Sequence, residues 1–188
     1  MKSTYSLLLA FTILLISGAC QVNDNHVDHL QGDWKTTLVK KLPLLGHRNW
    51  ILVVDKAFPL QNGEGIEVVY TGEKLIPVLS HVLSAIEESH HVMPQVYTDK
   101  ELTYLNDSLV EGISEYKREL HQSLPENRQS MLHDSVFTKI KTASELFQVL
   151  VLKTDEIMPY TSVFIELGCS YWSSEKESIL RSTMKESP

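Results

Sequence analysis

Two short apolar runs constrain this chain most: Ile51-Leu52-Val53-Val54 and Phe147-Gln148-Val149-Leu150-Val151-Leu152. Each is too short for a buried helix and lacks the polar alternation of a strand with one wet face, so each predicts a strand covered on both sides. Between and beyond them the pattern changes period. Ile66-Glu67-Val68-Val69-Tyr70, residues 92–97 and Val163-Phe164-Ile165-Glu166-Leu167 read as further strands. Leu75, Leu79, Val82, Leu83 and Ile86 recur at helical spacing. Strands alternating with helices predict an α/β fold, a three-layer α/β/α sandwich on a mostly parallel sheet.

The remaining elements follow from local signals. Asp33 is placed to cap a first helix through Trp34, Leu38, Val39 and Leu42, which Pro43 ends, and Gly46 then turns the chain toward the first strand. Leu102, Leu105, Leu109, Ile113, Tyr116 and Leu120 predict one long helix over residues 100–124. Residues 130–136 are expected to form a strand and residues 137–146 a helix. The end of the chain, residues 173–188, carries Ile179, Leu180 and Met184 among many charges, consistent with a docking helix or a tail.

The N-terminus reads as a targeting segment. Lys2 precedes the apolar stretch Leu7-Leu8-Leu9-Ala10-Phe11-Thr12-Ile13-Leu14-Leu15-Ile16, too short for a stable membrane span, and Ser17-Gly18-Ala19 lead directly to Cys20. This is the pattern of a bacterial lipoprotein signal, with residues 1–19 removed, Cys20 lipidated and residues 20–29 a polar tether. Ser17 stands where leucine is commonest, and an ordinary secretory signal or a membrane anchor is the alternative. The expectation is an exported protein held to the cell envelope through lipid, with Gln21 leaning toward the outer membrane. Lipidation would leave Cys169 without a disulfide partner in its own chain.

The mature length suits one domain, expected over residues 30–172. A formal net charge of −7 opposes a nucleic-acid footprint, which needs clustered Lys and Arg to replace counterions. A neutral or weakly charged ligand is the easier partner. No metal site is expected: His26 and His29 lie in the tether, His90 and His91 are adjacent and diverge, and no cysteine or carboxylate completes either pair. The series Glu101, Glu111, Glu115 and Glu119 reads as a solvated helix face. Gly-rich phosphate loops, nucleophile elbows and Cys-x-x-Cys pairs are missing from the sequence, and no cofactor is expected.

The segment Gly46-His47-Arg48-Asn49 followed by the first strand and by Asp55-Lys56-Ala57-Phe58-Pro59 resembles the opening of the ribose/fucose mutarotase family, RbsD/FucU. There a Gly-His step, a strand and an Asp-x-x-x-Pro turn follow one another. Thr154-Asp155-Glu156-Ile157-Met158-Pro159-Tyr160-Thr161-Ser162-Val163 is similar to that family's Thr-Gly-Glu-x-x-x-Tyr-x-Asn-Ile stretch, with Asp155 in place of glycine and Ser162 in place of asparagine.

The resemblance implies a mutarotase that interconverts the anomers of a free monosaccharide such as fucose or ribose. It makes His47 the acid/base candidate, with Asp55 binding a hydroxyl or orienting a catalytic group, and Tyr160 and Ser162 contacting the ring. A further basic or imidazole group is expected before the last helix, with His133, Thr138 and Lys139 the candidates, and His81 reads first as a surface histidine. Such chemistry needs neither metal nor cofactor, because an imidazole titrating near neutrality can take or give the protons of ring opening.

Each of these residues also has a plain structural role open to it: His47 closing a helix end, Asp55 capping a turn, Tyr160 packing as an aromatic. A non-catalytic saccharide-binding module and a structural ring-forming lipoprotein on the same fold are the alternatives in function.

Geometry adds one expectation of its own. The eight steps from His47 to Asp55 reach up to roughly 26 Å if extended. Unless Arg48 and Asn49 curl His47 back, the two side chains belong to one site only when neighbouring subunits complete it. Members of the resembling family are ring-forming oligomers with sites near subunit contacts, so the resemblance implies the second option, a homo-oligomer assembled as a ring.

Overall fold

The computed structural model describes residues 33–186, so the expected signal, Cys20 and the tether with His26 and His29 lie outside the described residues. Six strands form one sheet in the order β2-β5-β1-β6-β3-β4. They are β1 (Trp50–Val54), β2 (Ile66–Tyr70), β3 (Val92–Asp99), β4 (Gln129–Met131), β5 (Val149–Lys153) and β6 (Val163–Cys169). β1 and β2 both run parallel to β5, and β4 runs parallel to β3. Only β6 is reversed, lying antiparallel between β1 and β3.

Alternation along β1 divides the interior into two cores. Ile51 and Val53 face one layer, built by α1 (Trp34–Lys41), α2 (Leu75–Glu88) and α3 (Ile113–Ser123). Trp50, Leu52 and Val54 face the other, where α4 (His133–Ser144) supplies Val136 and Ile140. All five residues of β1 are buried, which is why its sequence carries no polar alternation. Helices on both faces of a mostly parallel sheet give the expected α/β/α sandwich.

Local sequence explains most boundaries. In α2, Leu75, Val78, Leu79, Val82 and Ile86 make the buried stripe, and Pro77 falls in the first turn, where no intrahelical N–H is required. In α1 the stripe is Trp34 and Leu38, continued by Leu42 in a 3-10 turn that holds Pro43.

The expected long helix over residues 100–124 is instead broken. A 3-10 turn spans Lys100–Tyr104, and α3 begins only at Ile113, after Gly112 in a left-handed conformation at φ 80°. Asn106 and Asp107 cause the break: Asn106 Oδ1 accepts from Ser108 N–H at 3.1 Å, and Asp107 Oδ1 accepts from Ser114 N–H at 3.2 Å. Short polar side chains that bond nearby backbone groups compete with the helix in this way. Leu109, expected on the apolar face, is 69% exposed.

The expected strand over residues 130–136 stops at Met131, because α4 starts at His133 with Glu101 accepting its backbone N–H. The C-terminal segment forms α5 (Ser174–Glu186), nearly all of whose described side chains are exposed.

Candidate functional site

The parallel strands end on the same side of the sheet, and β6, being reversed, begins there. Ligand sites of open α/β sheets form outside the carboxyl ends of the strands. Here that edge gathers Asp55 after β1, Thr154 to Glu156 after β5, Asp99 at the end of β3, His133 just after β4, and Tyr160 to Ser162 leading into β6.

The turn from Thr154 to Thr161 is tied down by its own side chains. Thr154 donates its hydroxyl to Val54 O at 2.7 Å. The buried Glu156 carboxylate accepts the backbone N–H groups of Ile157 and Met158 at 2.9 and 3.1 Å, and Thr161 donates to Met158 O at 2.8 Å. Asp155, which stands where the resemblance expects glycine, faces outward to Lys56 Nζ and the Tyr70 hydroxyl, each at 2.7 Å. The Lys56 ammonium, then the Tyr70 hydroxyl, hold its carboxyl below the usual range. Tyr160, reached through this turn, adopts the left-handed region at φ 58°, an uncommon conformation that clusters at functional sites.

Asp55 and Ser162 are joined across the strand ends. Ser162 donates its hydroxyl to Asp55 Oδ2 at 2.7 Å and accepts the Asp55 backbone N–H at 3.1 Å, while Asp55 Oδ1 accepts Ala57 N–H at 2.9 Å. Ser162 is only 1% exposed. Its one proton goes to Asp55, so it orients that carboxylate from behind. An asparagine at this position would have had a longer reach and two N–H donors in place of one O–H.

His133 is the centre of the cluster. Its Nδ1 lies 3.0 Å from Asp99 Oδ2, and its backbone N–H points at both oxygens of Glu101 at 3.2 Å. The ring meets Tyr160 edge to face at 5.5 Å and Phe137 at 4.8 Å. Burial pushes the Asp99 carboxyl up to about 6. The bond from His133 opposes that rise, and the nearby charges of Glu101 and Asp55 add to it. At neutral pH the carboxylate is still ionised, so it accepts a proton held on Nδ1 and leaves the Nε2 lone pair directed away from Asp99. Asp99 Oδ1 is buried with no hydrogen-bond partner among the described residues. The phenol of Tyr116, also near Asp55, is pushed well up by burial and next by Glu156, so it stays protonated.

Two expected site residues lie elsewhere. His47 precedes β1 and is not curled back. The strand from Trp50 to Val54 alone covers roughly 13 Å, so His47 and Asp55 stand at opposite ends of the sheet within one chain. His47 borders a cavity with Met93, Gln95 and Trp172, and accepts at Nε2 from Arg48 Nε at 3.3 Å.

Lys139, on α4, lies 5.1 Å over the Tyr97 ring and 3.8 Å from Glu166, and it shares a second groove with His47 and Trp50. It therefore groups with His47 and not with His133. The Tyr97 phenol beneath it is pushed up to about 12 by burial, with the Glu166 carboxylate adding to the rise. His81 packs edge-on against Trp34 at 5.1 Å, away from both groups.

Asp99, Glu101 and Tyr116 were not singled out by sequence reasoning as site residues. The signal for Asp99 was there: an acidic residue directly after the β-rich Val96-Tyr97-Thr98, at the strand end where an α/β sheet binds its ligand. Among the described residues no group of three or more His, Cys, Asp or Glu is arranged to hold a metal, and Cys169 is a free thiol.

Among solved structures, the chain is similar to RbsD from Bacillus subtilis complexed with D-ribose, at 21% identity and a TM-score of 0.48 over 71% of this chain and 92% of that one. It is also similar to FucU from Bifidobacterium longum, at 15% identity and a TM-score of 0.47 over 71% and 94%. A third is the fucose mutarotase of Streptococcus pneumoniae in complex with L-fucose, at 12% identity and a TM-score of 0.47 over 74% and 93%. No curated protein matches the chain. The family model matches residues 34–170, the whole sheet and the helices on both of its faces, and by that match the chain belongs to the RbsD / FucU transport protein family.

Proposed function

We propose that the protein is a monosaccharide mutarotase, opening and reclosing the cyclic hemiacetal of a free sugar by acid/base catalysis. The observation that carries this reading is His133, fixed by Asp99 and set beside Tyr160 at the strand ends, in a chain of this family. Ring opening requires a base to take the proton of the anomeric hydroxyl while the bond from the anomeric carbon to the ring oxygen breaks and an acid protonates that oxygen. Rotation of the free aldehyde and reclosure on its other face return both protons and give the other anomer.

His133 Nε2 is suited to the proton on one oxygen. His47 is suited to the other once a neighbouring copy brings it to this edge, because one chain keeps the two imidazoles at opposite ends of the sheet. Asp55, oriented by Ser162, and the Tyr160 phenol hold sugar hydroxyls. This reading includes a ring-like homo-oligomer with sites between subunits. Export and lipid attachment at Cys20 rest on the sequence pattern alone, and a Cys20→Ser variant that leaves the membrane fraction would support them.

The test is exchange NMR on the full-length chain with D-ribose and L-fucose, following magnetisation transfer between anomer signals. Exchange above the buffer rate that disappears in His133→Ala and in His47→Ala supports the assignment. Exchange at the buffer rate with every sugar overturns it. One observation favours a second reading, a saccharide-binding module without turnover: Ser162 and Asp155 spend their polar groups on neighbouring protein groups. Sugar binding with no exchange would select that reading.

A further inference from the structure

A separate group of polar and aromatic side chains gathers at the opposite end of β1, and residues beyond the family match line one side of it. The match ends at Ser170, and the chain then turns through Tyr171 and Trp172 into α5. Between this segment and the sheet lies a cavity of about 840 Å³ bordered by His47, Gln95, Trp172 and Glu175.

Trp172 is 43% exposed, whereas Trp34 and Trp50 are 4% and 2% exposed. Its indole N–H donates to Glu177 Oε2 at 2.8 Å, and Arg181 Nε donates to Glu177 Oε1 at 2.7 Å. The ring is thus held in one orientation by two links, and a preorganised aromatic face loses little entropy on binding. Gln95 reaches across Gly168, where a Cβ would come within 2.9 Å of its Nε2, so the glycine makes room for the amide. Arg48 holds the left-handed region at φ 72° and donates to His47 Nε2, which leaves the His47 proton on Nδ1.

We propose that Trp172, with Gln95 and His47, forms a saccharide subsite added to the family fold by the C-terminal segment. An indole face takes the C–H face of a pyranose, and an amide and an imidazole N–H bond its hydroxyls. The cavity lies toward the upper end of the roughly 300 to 1,000 Å³ typical of small-molecule sites, more than one hexose fills. The substrate class is therefore a reducing disaccharide or short oligosaccharide. Its reducing end meets His47 in the shared site and its second ring rests on Trp172. This inference rests on the mutarotase reading for the ligand's chemistry.

The experiment is acrylamide quenching of tryptophan fluorescence in the full-length chain, with lactose, maltose, D-ribose and L-fucose, run beside anomer exchange on the same samples. Because the other two indoles are buried, quenching reports Trp172, and Trp172→Phe identifies the signal. The expected result is that a disaccharide lowers the quenching constant at least twofold and a monosaccharide does so less. Gln95→Ala should abolish the protection, and Trp172→Ala should raise KM for disaccharide exchange at least fivefold with kcat within twofold. Unchanged quenching with every saccharide, while monosaccharide exchange persists, overturns the subsite and leaves the mutarotase reading standing. Protection without exchange keeps the subsite and overturns the mutarotase reading. Neither protection nor exchange overturns both.

Discussion

Asp99 and His133 are 34 positions apart, yet Oδ2 of one lies 3.0 Å from Nδ1 of the other, because β3 and β4 pair in parallel and end side by side. The carboxylate side chain is fully buried and the imidazole is about one-third exposed. A buried acid behind a half-open imidazole fixes the tautomer and leaves one nitrogen for chemistry.

Asp99→Asn keeps the shape and removes the charge. An amide no longer stabilises a proton arriving at Nε2, so anomer exchange at pH 7 should fall about 10- to 100-fold, the size of effect expected for a group acting through the imidazole and at most the low end of full acid/base assistance. KM should change little, since Asp99 is buried behind the imidazole. A larger effect on KM than on kcat would place Asp99 in sugar binding instead.

The same pair sets a pH dependence of stability. The Asp99 carboxyl is raised from 3.8 to about 6, so the folded state binds the proton more tightly than the unfolded chain. Its contribution is fully present below about pH 4 and is lost as pH rises toward 6, by at most on the order of 3 kcal/mol. Other carboxylates with lowered values, Asp155 and Glu73 among them, pull the opposite way. The difference between the parent and Asp99→Asn isolates the term. Urea midpoints measured from pH 4 to 7 should show the parent losing stability relative to the variant across that window, and parallel curves would refute the shift.

Ser162→Ala removes both the donor to Asp55 Oδ2 and the acceptor of the Asp55 N–H, at a position 1% exposed. The expected cost is about 1 to 3 kcal/mol of stability, together with a rise in KM as the carboxylate loses its fixed orientation. Chemical denaturation alongside exchange kinetics checks both. A variant as stable as the parent, with unchanged KM, would show that Asp55 is held by the Ala57 N–H alone.

Gly65 turns the chain into β2 where no side chain fits. A Cβ there would collide with Ser144 O and lie 2.7 Å from Phe147 O, backbone atoms at the end of α4 and just beyond it. Gly65→Ala must displace one of those segments, and about 1 to 3 kcal/mol of destabilisation is expected, against near-neutrality for Gly46→Ala, which meets nothing within 4 Å. Thermal unfolding of the two variants makes the comparison, and equal melting temperatures would contradict it.

What could be read from the sequence follows the physical signals. β1 and β5 were legible because a strand buried on both faces writes an unbroken apolar run, and α2 because its stripe is long and uninterrupted. The helix over 100–124 misled because Leu102, Leu105 and Leu109 keep a helical period. Asn106 and Asp107 settle the backbone through local bonds that no hydrophobic pattern records. β4, three residues long and mostly exposed, carries almost no signal. The strand expected over residues 130–136 runs past the real end of β4 and puts His133 inside it, so nothing in the sequence could bring His133 to Asp99. Asp55 and Tyr160 could be singled out as candidates because each stands in a motif whose neighbours are sequential, while Asp99 depends on pairing across the sheet.

The separation of His47 from His133 within one chain makes a final prediction about assembly. If neighbouring copies complete each site, His47→Ala and His133→Ala each inactivate every site in a pure preparation. Coexpression mixes them, and a site that takes His133 from one variant and His47 from the other is intact. Random pairing in a closed ring makes about one site in four of this kind, so exchange should recover to about a quarter of the parent rate. Mixing the purified variants without dissociation should recover far less, which separates subunit sharing from simple addition of residual activities. Coexpressed protein no more active than its parents would mean that the two imidazoles never serve one sugar, and His133 with Asp99 would then stand as the acid/base group of a site contained in one chain.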